Sequence, residues 1–295
     1  MTQSFDAGRW WLLVGKHWSE NRKKYTLSLI AIAGLLLLWF MVILITDGHG
    51  GINFSMQSVT YFFGLFLCGC LYGSTLFAEL GSKTRGLNFL VVPASHLEKL
   101  VCTLFYAVLV FFVCYTAIFY GVDILLVKAS NAVGYNYWVK HHLPGNTFAP
   151  QQVFNVFASP NQRPNEQDFM LYFLFAYFVL QAAFILGSVY FTRFNFIKTV
   201  IACLLIAMAM TFIAGKLIAP ILPPGSYYHG INSYQVYTTK NAASGDGIMI
   251  YSDAVTDKLV TLPEWISPVL LFLLQYAFAP LFWLATYFRL KEKEI

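Results

Sequence analysis

Leu27–Ile45 reads LSLIAIAGLLLLWFMVILI and carries no charged residue. A helix of about 20 apolar residues crosses a hydrocarbon core about 30 Å thick, so this stretch predicts a transmembrane helix. Similar stretches recur along the chain, which gives the set Leu27–Ile45, Val59–Ala78, Leu100–Val127, Phe169–Phe191, Thr199–Ala219 and Pro268–Phe288. They predict an all-α integral membrane protein whose six transmembrane helices occupy residues 27–288.

The composition supports a membrane protein. The chain is 58% hydrophobic, 18% aromatic and 11% charged, whereas about 25% of the residues of a soluble domain are charged. A soluble fold of this composition would have too few charges to cover its surface. The high aromatic content suits anchoring by Trp and Tyr at the membrane interfaces.

Basic residues predict the orientation in the membrane. Most of the 19 Lys and Arg residues lie at the N-terminus, in the loops after the second and fourth stretches, and in the tail 289–295. Cytoplasmic loops carry the excess of Lys and Arg, so both termini are expected to be cytoplasmic. Segments 128–168 and 220–266 are then outer segments. The net charge of +5 therefore indicates topology, and no nucleic-acid partner is expected.

Residues 1–26 predict an amphipathic helix on the inner membrane surface. At about 100° per residue, Trp11, Val14 and Trp18 gather on one face, and the basic residues gather on the opposite face. Trp on the apolar face and Lys or Arg on the polar face are typical of a helix that lies in the membrane interface. The same pattern serves a lipid anchor or a contact with a cytoplasmic partner, and the sequence leaves both open.

The cytoplasmic loop 79–98 contains an apolar run, LNFLVV at Leu87–Val92. Pro93 would end any helix there. Ser95, followed three residues later by Glu98, predicts a capping box that begins the third transmembrane helix. The capping box accounts for Ser95 and Glu98 but leaves the apolar residues before them unexplained.

The sequence lacks the motifs of catalysis and nucleotide binding. It contains no G-x-x-x-x-G-K-[ST] phosphate loop, no H-E-x-x-H metal motif and no G-x-S-x-G nucleophile elbow. We therefore expect no enzyme activity and no cofactor or metal site in this chain. Ionisable residues within spans mark ion pathways, but Asp123 and Lys216 lie toward span ends, so ion coupling is disfavoured. Gln181 and Gln275 lie mid-span and could bond across helices.

Small residues within the spans predict close helix packing. They are Gly64, Gly69 and Gly73 in the second stretch and Ala202, Ala207 and Ala214 in the fifth. Either packing inside one bundle or an interface between subunits would use them, and a unit of six helices is small for enclosing a path by itself.

The order of these features resembles the membrane subunit of ABC-2 (type V exporter-like) transporters. An amphipathic N-terminal helix, six spans, a cytoplasmic loop after the second span and a large outer segment before the sixth all fit. The most specific part is Glu79–Lys99, ELGSKTRGLNFLVVPASHLEK, which is similar to a bacterial permease pattern ending L-x-x-P-x-S-x-x-E-K. The outer segment 128–168 is larger than expected for a minimal exporter of this class.

The resemblance implies a separate cytoplasmic P-loop ATPase that binds ATP and Mg²⁺. Loop 79–98 would be the coupling helix seated on that ATPase, flanked by the N-terminal helix. Two copies, or this chain and a similar one, would form the path in the bacterial cytoplasmic (inner) membrane and export an amphipathic or hydrophobic substrate. The implied coupling residues are Glu79, Arg85, Phe89, Leu90, Pro93, Ser95, Glu98 and Lys99. The alternative is a non-transporting scaffold subunit of a secretion or motility complex.

Overall fold

The structure is a computed structural model that describes residues 5–47, 52–77, 94–141, 150–156, 164–191, 193–218, 226–230, 233–237, 257–261, 269 and 272–293. Its helices are α1 (Ala7–Asp47), α2 (Phe54–Thr75), α3 (His96–Leu104), α4 (Phe111–His141), α5 (Pro164–Tyr190), α6 (Asn195–Ile218) and α7 (Phe278–Lys293). π-Helical turns at Phe105–Val110 and Leu273–Ala277 precede α4 and α7. The chain divides into two compact units, one of residues 1–199 with 279–295 and one of residues 200–278.

Long apolar helices confirm a multi-pass α-helical membrane protein. Five are long and apolar enough to cross a bilayer, namely Ala7–Thr46, Phe54–Thr75, His96–Lys140, Met170–Tyr190 and Asn195–Ile213. They match the first five predicted stretches. The sixth stretch, Pro268–Phe288, is described only in part, with helix from Leu273 to Lys293. A sixth span therefore stays a prediction.

The N-terminal helix and the first span are one element. α1 runs for 41 residues without a break, which at 1.5 Å per residue is about 60 Å, twice the thickness of the hydrocarbon core. The boundary expected at residue 26 is therefore not a helix end. Lys and Arg are good helix formers, so the change from basic to apolar sequence there changes the surface of the helix and not its backbone.

The third long helix, which consists of α3, the π-helical turn and α4, extends beyond the predicted Leu100–Val127 at both ends. The predicted outer segment 128–168 is consequently helical up to His141 and again from Pro164. Asn131 supports this extension because its side-chain amide donates to the Gln151 carbonyl (2.9 Å) and accepts from the Gln151 amide (2.7 Å). The segment 150–156 is thereby attached to α4.

Two contacts define the relative direction of α1 and the third long helix. Asp6 meets Glu98, and the rings of Phe40 and Phe119 lie 6.0 Å apart, so α1 and the third long helix run the same way. We call the end with Asp6 and Glu98 the proximal end and the end with buried Ile52 the distal end.

α2 runs in the opposite direction to α1. Trp39 Nε1 donates to the Thr60 hydroxyl (3.2 Å), and the Tyr72 hydroxyl donates to that of Tyr25 (3.2 Å). The core between the helices is strongly aromatic, and its large buried side chains include Phe40, Tyr61, Tyr115, Phe119, Phe154 and Tyr177. Phe154 comes from segment 150–156, which therefore contributes to the core.

The glycines of α2 pack inside the first unit, as one of the two predictions proposed. A Cβ atom at Gly69 would lie 2.5 Å from the Tyr177 ring, one at Gly73 would lie 3.4 Å from the Gln181 carbonyl oxygen, and one at Gly64 would meet the Tyr115 hydroxyl. Close approach of α2 to Tyr177 of α5 thus requires glycine at position 69, whereas the distance at Gly73 is that of an ordinary contact. The alanines of the fifth stretch lie in the second unit, where their role stays a prediction.

The second unit contains strands that the all-α prediction did not include. β1 (Ser226–Gly230), β2 (Ser233–Tyr237) and β3 (Asp257–Thr261) form an antiparallel sheet in the order β1-β2-β3. Tyr, Val and Thr are enriched in these segments, and such residues suit a pleated surface. The sheet lies within the predicted outer segment 220–266. The proline-rich edges of that segment, 219–225 and 262–268, lie outside the described residues.

Candidate functional site

The predicted coupling residues divide into two groups. Glu79, Arg85, Phe89, Leu90 and Pro93 lie outside the described residues, and their role stays a prediction. Ser95, Glu98 and Lys99 begin the third long helix and are all buried. These three side chains therefore form the base of the loop and do not present a surface of their own. We call the contact of this base with the start of α1 the α1–α3 joint, made of Asp6, Arg9, Ser95 and Glu98.

The predicted capping box is confirmed. The Ser95 side chain accepts from the Glu98 amide (3.2 Å), and Glu98 Oε2 accepts from the Ser95 amide (2.8 Å). These two bonds satisfy backbone donors that a helix start leaves unpaired. The Glu98 charge is also favourable there because the N-terminal end of a helix is electropositive. The point at which the loop becomes helix is thereby fixed.

The second carboxylate oxygen of Glu98 binds α1. Glu98 Oε1 accepts from the Asp6 amide (2.8 Å) and from Arg9 Nη2 (3.1 Å), and its side chain is fully buried. A buried carboxylate is stable when it is paired and hydrogen-bonded, and bonds from charged donors are the stronger kind. Glu98 therefore holds together the starts of two helices.

Asp6 extends the joint into the first turn of α1. Its carboxylate accepts from the Gly8 amide (2.8 Å), and its carbonyl accepts from the Trp10 amide (3.0 Å). The residue that donates its backbone N–H to Glu98 thus also starts its own helix. Ser95 and Glu98 are thereby connected to the first turn of α1 through a chain of hydrogen bonds.

The sequence did not identify Arg9 as the partner of Glu98. Glu98 and Arg9 are 89 residues apart, and Arg9 was assigned only to the basic face of the N-terminal helix. Glu98 had a local explanation in the capping box, which uses only one of its two oxygens. The remaining oxygen of a capping-box Glu in an apolar setting was the one indication that a further donor was needed.

Behind the joint lies a cluster of aromatic residues with polar groups. The Tyr106 hydroxyl donates to the Val14 carbonyl (2.9 Å), and the rings of His17 and Tyr106 lie 4.6 Å apart. His17 Nε2 lies 2.6 Å from the Tyr25 hydroxyl, which also accepts from Tyr72 of α2. Side chains of α1, α2 and the third long helix are thus joined directly behind the loop base.

The predicted apolar face of the N-terminal helix is divided by this packing. Val14 is buried against Cys102 and Tyr106, whereas Trp11 and Trp18 are 64% and 46% exposed. Val14 therefore serves the protein core, and the two tryptophans are the part of the face that lipid or a partner can reach.

A π-helical turn interrupts the third long helix just distal to the joint. It covers Phe105–Val110, and the fully buried Gln181 of α5 donates through Nε2 to the Ala107 carbonyl (2.7 Å). The prediction that Gln181 bonds across helices is confirmed. π-Helical turns disturb the regular hydrogen-bond ladder and are frequent at functional sites. Gln181 holds this turn in place from a neighbouring helix.

Comparisons with known proteins do not assign the chain to a family. No family model matches it, and no curated protein or solved structure matches it either. Within the described residues, no group of three or more His, Cys, Asp or Glu side chains is placed to hold a metal ion. The resemblance to ABC-2 permeases rests on the order of the elements and on Glu79–Lys99.

Proposed function

We propose that this chain is the membrane subunit of an ATP-driven exporter of the ABC-2 class. A separate cytoplasmic P-loop ATPase would bind ATP and Mg²⁺ and would contact loop 79–98. The observation that carries the proposal is the α1–α3 joint, since it lies where that loop enters the membrane domain. Such a joint is what a coupling loop needs at its base.

The α1–α3 joint connects the end of the loop to two helices. Ser95 and Glu98 fix the first turn of α3, and the same Glu98 binds Asp6 and Arg9 at the start of α1. Because the carboxylate is buried and bonded on both oxygens, the two helix starts move as one body. A force applied to the loop would therefore displace α1 and α3 together.

The third long helix would bend at the π-helical turn when the joint is displaced. The turn lies between the joint and α4, and Gln181 ties it to α5. A helix with a disturbed hydrogen-bond ladder bends more easily there than elsewhere. Rotation of the joint would thus change the angle between α3 and α4 and shift α5, which packs closely on α2 through Gly69.

A second copy of this chain, or a similar chain, would complete the path. The helices offer aromatic and weakly charged surfaces, so an amphipathic or hydrophobic substrate fits better than a small ion. The exposed Trp11 and Trp18 would lie at the membrane surface beside the ATPase. In this arrangement the proximal end of the bundle is cytoplasmic.

The test is the effect of charges at the apolar run of the loop. Phe89→Glu combined with Leu90→Glu should abolish association with the ATPase, while membrane insertion stays normal. Val133→Glu combined with Val139→Glu is the matched control, since both residues are exposed in α4. Both double variants would be purified from native membranes in mild detergent, and the ATPase and the ATP hydrolysis that accompany them would be measured.

Two results would count against the proposal. Undiminished association of the Phe89/Leu90 variant would exclude loop 79–98 as the coupling element. ATP hydrolysis that no substrate stimulates, with no flux into sealed vesicles, would favour the scaffold function instead.

A further inference from the structure

A second buried carboxylate lies at the distal end of the same long helix. Asp123 of α4 is fully buried, and its Oδ2 accepts from the Phe154 amide (3.1 Å). Its Oδ1 has no hydrogen-bond partner within the part of the chain that the structure describes. An ionised carboxylate with a single neutral donor is very unfavourable in an apolar interior. The site thus lacks either a donor or a positive charge.

Gln57 of α2 has the same deficiency. It is fully buried, and its side-chain nitrogen donates to the carbonyls of Ile52 (3.2 Å) and Gln152 (3.1 Å). These two acceptors fix which end of the amide is the nitrogen. The remaining atom, Oε1, is a buried acceptor without a donor among the described residues.

The two unpaired oxygens belong to neighbouring positions. The rings of Tyr61 and Phe119 lie 5.0 Å apart on helices that run in opposite directions. Gln57 is one turn before Tyr61 and Asp123 is one turn after Phe119, so both lie one turn distal to this contact. Segment 150–156 crosses both, because the Gln152 carbonyl bonds to Gln57 and the Phe154 amide bonds to Asp123.

We propose that Asp123 carries a proton, which it donates to Gln57 Oε1. A protonated carboxyl group is a donor through one oxygen and an acceptor through the other. One proton therefore satisfies both orphaned oxygens, while Oδ2 keeps its bond from Phe154. A bound metal ion is less suitable, since hard cations take about six or more oxygen ligands and this site offers two.

Among the described residues, no Lys, Arg or His is paired with Asp123. The titratable groups that face the site are Tyr61 of α2, whose hydroxyl pairs with Thr116 (3.0 Å), and Tyr120 of α4, whose hydroxyl accepts from the Val156 amide (3.2 Å). α1 and α5 contribute apolar side chains to this region, among them Phe40 and Leu174. Lys128, one turn further along α4, is exposed. Within the described residues, Asp123 forms no ion pair.

The proton on Asp123 would help to hold segment 150–156 against the distal ends of α2 and α4. Segment 150–156 is held by bonds to Gln57, Tyr120, Asp123 and Asn131 and by the insertion of Phe154. Transfer of the proton to water would leave a carboxylate facing the Gln57 oxygen, and the two acceptors would repel each other. The segment would then loosen from α2 and α4. This gives a pH-dependent role to part of the predicted outer segment 128–168 and holds whether or not the chain is a permease.

The test compares Asp123→Asn with Asp123→Ala in the full chain in detergent or lipid discs. Asn reproduces the protonated state, because its oxygen can accept from Phe154 while its nitrogen donates to Gln57. We expect Asp123→Asn to keep the thermal stability of the wild type. Raising the pH should increase proteolysis at segment 150–156 in the wild type, and Asp123→Asn should abolish that increase. Asp123→Ala should be less stable. Glu20→Gln, an exposed carboxylate changed to an amide, should behave as the wild type.

Infrared spectroscopy reads the proton directly. At mildly acidic pH the wild type and Glu20→Gln should show the carbonyl band of a buried, protonated carboxylic acid, and Asp123→Asn should lack it. The proposal would be overturned if Asp123→Asn showed the same carbonyl band as the wild type, or if the wild type showed no such band. Destabilisation of Asp123→Asn equal to that of Asp123→Ala would also overturn it. A third result would also overturn it. If Na⁺ or K⁺ stabilised the wild type but not Asp123→Asn, the site would bind a cation in place of the proton.

Discussion

Glu98 and Asp123 are both fully buried carboxylates on one continuous helix, yet their surroundings differ. Glu98 accepts from the Ser95 amide, the Asp6 amide and the Arg9 guanidinium, whereas Asp123 accepts from the Phe154 amide alone. The first has donors for a full negative charge and the second does not. Neither side chain is exposed to solvent, but Glu98 lies at the start of its helix with three donors and Asp123 lies deeper in the bundle with one. We therefore interpret Glu98 as part of a fixed joint and Asp123 as a site for a proton.

The largest effect is expected from removing the proximal carboxylate. Glu98→Ala leaves two backbone donors and Arg9 without an acceptor, and breaking a buried ionic pair costs about 3–5 kcal/mol. Arg9 is partly exposed and can turn to water, so we expect about 3 kcal/mol or a loss of folded protein. Thermal unfolding in detergent measures it. Glu20→Ala, which removes an exposed pair with Lys16, should change the stability by less than about 1 kcal/mol. Equal effects would contradict the joint.

An exchange of carboxylate for amide should have opposite consequences at the two ends. Glu98→Gln replaces one acceptor oxygen by an NH₂ group that would face the backbone donors and Arg9. It should lower the free energy of unfolding by about 1–3 kcal/mol. Asp123→Asn supplies the donor that the distal site lacks and should leave the stability unchanged or raise it. Comparing their melting temperatures under one condition tests the contrast directly. The same sign of change in both variants would refute it.

A smaller effect is expected between the two ends, at the π-helical turn. Gln181→Leu removes the donor to the buried Ala107 carbonyl, but it also removes the buried Gln181 Oε1, which has no partner among the described residues. The stability should therefore fall by only about 1 kcal/mol. Gln181→Glu should be worse, because an ionised carboxylate cannot donate to that carbonyl and protonating it has a free-energy cost that increases with pH. Thermal unfolding again provides the readout, with Leu180→Ala, a partly exposed neighbour in α5, as the control. A neutral Gln181→Leu would show that the turn does not depend on α5.

The smallest effect should separate the two sides of the N-terminal helix. Trp11→Ala removes an exposed side chain and should alter the stability by about 0.5 kcal/mol or less. Val14→Ala removes methyl groups packed on Cys102 and Tyr106 and should cost about 1 kcal/mol. Binding to anionic lipid vesicles should respond in the reverse order. A loss of lipid binding in Val14→Ala alone would contradict the observed orientation.

Local patterns predicted local structure well. The capping box at Ser95 and Glu98 needs only residues three apart, and the apolar stretches are long enough to specify helices without tertiary help. Helix ends were less predictable, because the third long helix continues past Val127 to His141 and Asn131 there bonds to Gln151, a contact that no local pattern indicates. The contacts of the candidate site could not be predicted, because they join residues that lie far apart in the sequence. The pair of Arg9 with Glu98, and the bonds of Gln57 and Asp123 to the same segment 150–156, arise only from the packing of distant parts of the chain.

The most direct test of the proposed function is photo-crosslinking from the coupling loop in native membranes. A photoreactive phenylalanine analogue at Phe89 should form an adduct with a P-loop ATPase polypeptide, and the same analogue at Val139 of α4 should not. The adduct from Phe89 should survive Glu98→Gln in lower yield, since the base of the loop would be loosened but its apolar contact retained. Absence of an ATPase adduct from Phe89 in active membranes, or an equal adduct from Val139, would contradict the account.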